Sequence, residues 1–273
     1  MSNSSNKGTA VVTGASSGIG AVYADRLAKR GYDLILVARN EERLKSLSAP
    51  LTGETGRSVK VLRADLCNKA ELAKVEAVLR NESSITMLVN NAGLGSIAPL
   101  LNADVDKVDE IIALNITALT RLTYAAAPAF VERGAGTIIN IGSVVGISPE
   151  ALNGVYGASK AYVLAFSHSL QHELADKGIR VQAVLPGATA TDLWEIAGLP
   201  WQKLPPSIVM PVENMVDAAL AGLDQGELVT IPGLHDGEEW TRFEAARRAI
   251  SQHFGNSVPA QRYRSGVAAQ QRA

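Results

Sequence analysis

Short apolar runs punctuate the chain, and between them apolar and polar positions recur with helical spacing. The runs at Thr9 to Thr13, Asp33 to Ala38, Val59 to Ala64, Met87 to Asn90, Thr137 to Gly142, Arg180 to Leu185 and Leu228 to Ile231 predict strands. Several of them (LILVA, TIINI, VQAVL) are almost unbroken, the pattern of parallel strands buried on both faces. Helical periodicity fills 18–30, 41–48, 69–81, 104–132, 155–177 and 213–224. Strands that alternate with helices build βαβ units. The expectation is an α/β fold, a doubly wound parallel sheet of Rossmann type with about seven strands and helices on both faces.

No repeat or composition break divides the chain, so 8–254 reads as one domain. Residues 190–211 interrupt the rhythm and hold Trp194 and Trp201. This stretch reads either as a lid over a substrate or as core and subunit packing. The polar ends, 1–7 and 255–273, read as a disordered leading tail and a flexible closing tail.

Composition narrows the function. The chain has 273 residues, 47% of them hydrophobic, and 27 acids against 26 bases give a net charge of −1, which excludes a disordered chain and supplies no field for nucleic acid. Cys67 is the single cysteine, so an intramolecular disulfide is impossible and a reducing, cytoplasmic setting is expected. No apolar run approaches the ~18 residues that would cross a bilayer, so no membrane partner is expected. The partner expected instead is a small molecule.

The first strand runs into Thr13-Gly14-Ala15-Ser16-Ser17-Gly18-Ile19-Gly20 and then a helix. Glycines at 14, 18 and 20 allow a tight turn, close approach of backbone N–H groups to a diphosphate, and close helix–strand packing, with the positive helix end facing the anion. The spacing is not a P-loop, because no Gly-Lys-Ser/Thr follows. Gly14, Ser16 and Gly18 also fit a hydrolase elbow, with Asp192 and His235 in triad order. That fold needs an oxyanion donor from an earlier loop, and too little chain precedes Ser16 to supply one.

About 20 residues past the glycines, dinucleotide folds place an acid on the ribose 2′-hydroxyl. Here Ala38 and Arg39 stand there. With no carboxylate to repel a 2′-phosphate and a guanidinium to hold it, NADP(H) is favoured over NAD; the plainer reading is a solvated arginine beside Glu41 or Glu42. Tyr156 and Lys160 lie four apart on one helix face. A lysine ammonium there would favour the phenolate of a tyrosine that otherwise titrates near ~10. Ser143 ends the neighbouring strand, on the carboxyl edge where open α/β sheets bind ligands. Singly, these are also a buried tyrosine, an exposed lysine and a strand-end serine. His168 and His172 have metal-ligand spacing but lack the glutamate of H-E-x-x-H, so they read as surface or interface histidines.

Taken together, TGASSGIG, Asp65, Asn90-Asn91-Ala92-Gly93, Asn115, Ser143, Tyr156-x-x-x-Lys160 and Pro186-Gly187-x-x-x-Thr191 resemble the short-chain dehydrogenase/reductase family in order and spacing, over about residues 8–190. The resemblance implies hydride transfer between NADP(H) and a carbonyl, with reduction the expected direction. By that resemblance Tyr156 gives a proton to the carbonyl oxygen, and Ser143 holds that oxygen. Lys160 binds the nicotinamide ribose and lowers the Tyr156 pKa, and Asn115 holds a relay water. Gly14, Ser16, Ser17, Gly18, Ile19 and Gly20 would line the diphosphate and ribose, with Asp65 and Leu66 near the adenine. Asn91, Ala92 and Gly93 would lie under the cofactor, with Pro186, Gly187, Thr189 and Thr191 near the nicotinamide.

Substrate contacts are expected from Leu94, Ser143, Val145, Ile147, Leu152, Tyr156, Leu193, Trp194 and Trp201, and a medium-sized apolar ketone or aldehyde would suit them. A homodimer or homotetramer is implied by resemblance alone. The helix-like EEWTRFEAARRAIS and the basic tail with Arg272 depart from the short ending of many relatives. A redox sensor that binds NADPH without turnover is the alternative on the same fold.

Overall fold

The computed structural model describes residues 6–152 and 154–264. Residues 1–5 and 265–273, including Arg272, lie outside the described residues. Asn6 and Lys7 belong to the leading tail by sequence, yet Asn6 Nδ2 donates to Asp33 at 3.0 Å and the Lys7 carbonyl accepts from Thr86 Oγ1 at 2.8 Å.

Seven parallel strands form one sheet among the described residues: β1 (Thr9–Thr13), β2 (Asp33–Ala38), β3 (Val59–Arg63), β4 (Ile85–Asn90), β5 (Gly136–Ile141), β6 (Ile179–Val184) and β7 (Val229–Thr230). Their order is β3-β2-β1-β4-β5-β6-β7. The chain winds outward from β1 to β3, then returns to lay β4 beside β1 and winds the other way. The crevice at that reversal, outside the carboxyl ends of β1 and β4, is where such sheets accept ligands. Each sequence-predicted strand is present, and β7 shrinks to two residues paired with Ala183 and Val184.

Alternation on the strands makes two cores. Val12, Leu36 and Val89 face one side, packed with Leu27 of α1 (Gly18–Lys29), Leu44 and Leu51 of α2 (Glu41–Thr55), and Val216 and Leu220 of α8 (Val212–Gln225). Their neighbours Val11, Ile35 and Leu88 face the other side. There they meet Val75 of α3 (Lys69–Asn81), Leu122 and Phe130 of α5 (Leu119–Arg133), and Leu170 of α6 (Val155–Leu174). Each such side chain contributes about 1.5–3 kcal/mol by leaving water.

Two helices depart from the periodicity. The segment expected to end at 48 continues to Thr55 through Pro50 and Gly53, because Leu44 and Leu51, two turns apart, are both buried against the sheet. Gly56, at φ +66°, then stops it. The long helix expected over 104–132 is broken. α4 (Val105–Ile112) passes into a wide π turn, Ala113–Ala118, before α5 resumes. Segment 190–211 holds a short helix, α7 (Leu193–Ile196), and two 3₁₀ turns, Trp201–Lys203 and Pro206–Ile208.

The chain divides into two compact units, one through Gly233 and one from Leu234. The second unit contains α9 (Gly237–Ser251), capped by Asp236 accepting from Glu238 N at 2.9 Å. In it Trp240 stacks on Phe243 at 5.2 Å, and Glu244 pairs with Arg247 at 2.9 Å. Among the described residues no helix is long and apolar enough to cross a membrane.

Candidate active site

A cleft of about 790 Å³ opens at the reversal point. Its first wall is the glycine-rich turn, where Gly14, Ser16, Ser17, Gly18 and Ile19 all line the space. Gly14 (φ +64°) and Gly18 (φ +54°) adopt backbone that only glycine takes without strain. A Cβ on Gly14 would come within 2.9 Å of Ala92 Cα, so the turn presses directly on the β4 loop. Gly20 lies beneath rather than in the cleft: its Cβ would strike the Gly14 carbonyl at 2.4 Å. Ser17 begins α1 without capping it, and no acid occupies the first turn. The helix's leading N–H groups and positive end therefore face the cleft.

The loop after β4 is fixed by a residue that the motif reading passed over. Thr13 Oγ1 accepts from both Asn91 N and Ala92 N at 3.0 Å and donates to the Val89 carbonyl. Asn91 Nδ2 returns a bond to the Thr13 carbonyl at 2.8 Å. Asn91, Ala92, Gly93 and Leu94 thereby line the cleft floor. Asn115, on the π turn, is buried behind them. Its Oδ1 accepts from Leu94 N at 2.8 Å, and its Nδ2 donates to the Leu94 carbonyl at 2.9 Å and to Ser159 Oγ at 3.0 Å. Its side chain thereby anchors Leu94 to the π turn and ties both to α6.

Ser143, Tyr156 and Lys160 converge from β5 and α6. Ser143 hydrogen-bonds to Tyr156 and donates to the Pro186 carbonyl at 3.3 Å. Burial pushes the Tyr156 phenol up to about 12, while the Ser143 bond pulls the other way. Lys160, also buried, is pulled down to about 8. Its Nζ donates to the Ile141 carbonyl at 2.9 Å and lies 5.7 Å from the Tyr156 ring centre. At the phenol, loss of water outweighs the Ser143 bond, and the ammonium points at a backbone carbonyl.

Pro186, Gly187, Thr189 and Thr191 close the wall after β6, and Ala38, Arg39, Asp65, Leu66 and Cys67 close the far end. Asp65 Oδ1 accepts from Cys67 N at 3.0 Å, which shapes that corner. Arg39 is exposed and in no ion pair among the described residues. The apolar end is lined by Leu94, Val145, Leu152, Leu193 and Trp194 as expected, and by Leu114, Ile196, Leu199, Leu204 and Ile208, which the sequence did not single out. Ile147 and Trp201 stand outside the cleft walls. Among the described residues no group of His, Cys, Asp and Glu is placed to hold a metal.

The donor set fits a nicotinamide dinucleotide. Side-chain-free glycine backbone and an open helix end would meet a diphosphate, and a buried lysine and serine sit at the opposite end.

Comparison with known proteins agrees with this geometry. The profile of the short chain dehydrogenase family matches residues 8–198. A short-chain dehydrogenase from Sphingobium yanoikuyae in complex with NADPH superposes with a TM-score of 0.90 at 48% identity, covering 93% of this chain and 98% of that one. A bulky-bulky ketone specific alcohol dehydrogenase from Comamonas testosteroni gives 0.88 at 45% identity, over 95% and 99%. An oxidoreductase of Staphylococcus epidermidis is 34% identical over 223 residues, 81% of this chain and 93% of that protein.

Proposed function

The chain belongs to the short chain dehydrogenase family, and from that premise we propose that it reduces the carbonyl of a bulky, apolar, uncharged ketone to an alcohol with NADPH. The single observation that carries this reading is the meeting of Ser143 and Tyr156 at the junction of the dinucleotide-shaped and apolar halves of one cleft. NADPH, when bound, supplies the hydride.

The chain's own groups handle the proton. The ketone oxygen accepts a hydrogen bond from Ser143, which holds it in reach of Tyr156. Tyr156 keeps its proton throughout the neutral range because burial pushes it up to about 12, so it meets the substrate as an acid. It transfers that proton to the carbonyl oxygen as the oxygen gains charge. The Lys160 ammonium, below about pH 8, supplies a positive charge on the same helix face for the tyrosinate left behind.

The walls support the substrate class. Leu94, Val145, Leu152, Leu193, Trp194 and Ile208 line the same cleft. The cationic side chains Arg39 and Arg43 rise from the end of β2 and the start of α2, at the phosphate-binding end, and the Lys160 ammonium is buried and already donates to the Ile141 carbonyl, so an anionic substrate group is not favoured. The similarity to an alcohol dehydrogenase specific for bulky-bulky ketones points the same way. Arg39, exposed and in no ion pair among the described residues, supports NADPH over NADH.

The test is NADPH consumption with diaryl and branched dialkyl ketones, small ketones, sugars and sulfonated aldehydes. Turnover concentrated on the bulky neutral ketones is expected. Tight NADPH binding with no turnover on any of them would replace the reductase by a cofactor-binding sensor.

A further inference from the structure

Two cleft charges pair with each other. Arg43 lies in the first turn of α2, and Asp192 stands at the start of α7; both line the cleft, and their side chains meet at 3.6 Å. Each is 58% exposed. Their backbones come from opposite walls. Asn40 caps α2 by accepting from Arg43 N at 3.0 Å, which fixes the turn that carries both Arg39 and Arg43. Asp192 follows Thr191, whose methyl lies 3.1 Å from where a Cβ on Gly18 would stand. Residues 191–192 thus run from the glycine-rich turn toward α2, across the phosphate-binding end of the cleft.

We propose that Arg43 is a second recognition residue for the 2′-phosphate, and that Asp192 is the carboxylate it leaves to bind it. This rests on the NADPH reading above. An ion pair so exposed is weak and screened by salt, so giving it up costs little. A phosphate monoester carries close to two negative charges and accepts a planar guanidinium fork through two oxygens, so it competes with a single carboxylate on favourable terms. An unphosphorylated dinucleotide offers nothing to draw Arg43 away and leaves the pair intact. Asp192 therefore weakens binding of the phosphorylated cofactor selectively, and Arg43 strengthens it.

Equilibrium binding of NADPH and of NADH, followed by calorimetry, tests this on the wild type, Arg43→Met, Arg43→Lys, Asp192→Asn and the Arg43→Met/Asp192→Asn double variant. Arg39→Met serves as reference. Arg43→Met is expected to weaken NADPH about tenfold and NADH by less than about twofold, with Arg43→Lys between. Asp192→Asn is expected to tighten NADPH about threefold at low salt, with the gain lost at high salt. The double variant is expected to match Arg43→Met. The proposal is overturned if Arg43→Met binds NADPH like the wild type while Arg39→Met does not, or if it loses both dinucleotides equally. It is also overturned if the Asp192→Asn gain survives without Arg43. If neither arginine separates the two dinucleotides, the NADPH reading itself fails.

Discussion

Lys160 donates through Nζ to the carbonyl of Ile141 at 2.9 Å, at the end of the strand that leads to Ser143. That carbonyl satisfies one proton of an ammonium that burial pulls from 10.5 down to about 8. Between about pH 8 and 10.5 the folded chain holds this lysine neutral while the unfolded chain binds its proton, so the lysine's contribution to stability rises with pH across that window. Lys160→Met removes the contribution. The stability of the wild type relative to the variant should grow by up to about 3 kcal/mol from neutral pH to above pH 10. Denaturant unfolding of both proteins at several pH values measures it, and a constant difference would show that the folded chain carries the ammonium without penalty.

Tyr156→Phe keeps the ring buried and deletes only the hydroxyl that meets Ser143. Ketone turnover should fall by at least about 100-fold, with NADPH affinity within about twofold of the wild type. Ser143→Ala should cost turnover as well while leaving the Tyr156 proton in place. Steady-state kinetics beside NADPH titration separates the two effects. Full turnover in Tyr156→Phe would remove the phenol from the chemistry.

Most of the strands were legible because they are buried on both faces, so that Val11 and Val12 can both be apolar while serving different cores. The glycine turn and the Ser143, Tyr156 and Lys160 set were legible because their chemistry restricts residue type. The break in the long helix was not, since Ala113 to Ala118 keep an apolar rhythm and the π turn is fixed by Asn115 reaching both polar atoms of the Leu94 backbone. Arg43, and the partners of Thr13 and Asp192, were missed for a related reason. Each of these residues acts on a partner distant in sequence, and periodicity reports only neighbours along the chain. The lysine–tyrosine spacing did place both groups on one helix face, but spacing carries no information on which acceptor the ammonium finds or how much water remains.

Two glycines with no common environment offer a contrast. A Cβ on Gly20 would sit 2.4 Å from the Gly14 carbonyl oxygen, where backbone would have to yield, whereas one on Gly53 in α2 meets nothing within 4 Å. Gly20→Ala should destabilise the fold by about 1–3 kcal/mol and weaken NADPH binding, because it pushes on the turn that faces the diphosphate. Gly53→Ala should stabilise it by about 0.5–1 kcal/mol through helix propensity. Thermal and denaturant unfolding compare them. A neutral Gly20→Ala would mean that the turn can shift without cost, and so does not need its close contact.

Trp194 and Trp201 lie in the same segment but in different settings, and that difference makes the lid testable. Trp194 lines the cleft together with Leu94 and Val145, and its carbonyl is tied to Leu199 N at 2.9 Å, while Trp201 stands outside the cleft walls. If the segment covers the substrate, Trp194→Ala removes apolar contact that only a bulky ketone can use. KM for such ketones should rise about 5- to 30-fold with little change for small ones. Trp201→Ala should leave both unchanged. Steady-state kinetics on a size series of ketones reads the outcome directly. Equal effects of the two substitutions across the series would mean that 190–211 supports the fold as a whole, and that the cleft selects its ketone by the fixed walls from Leu94, Val145 and Leu152.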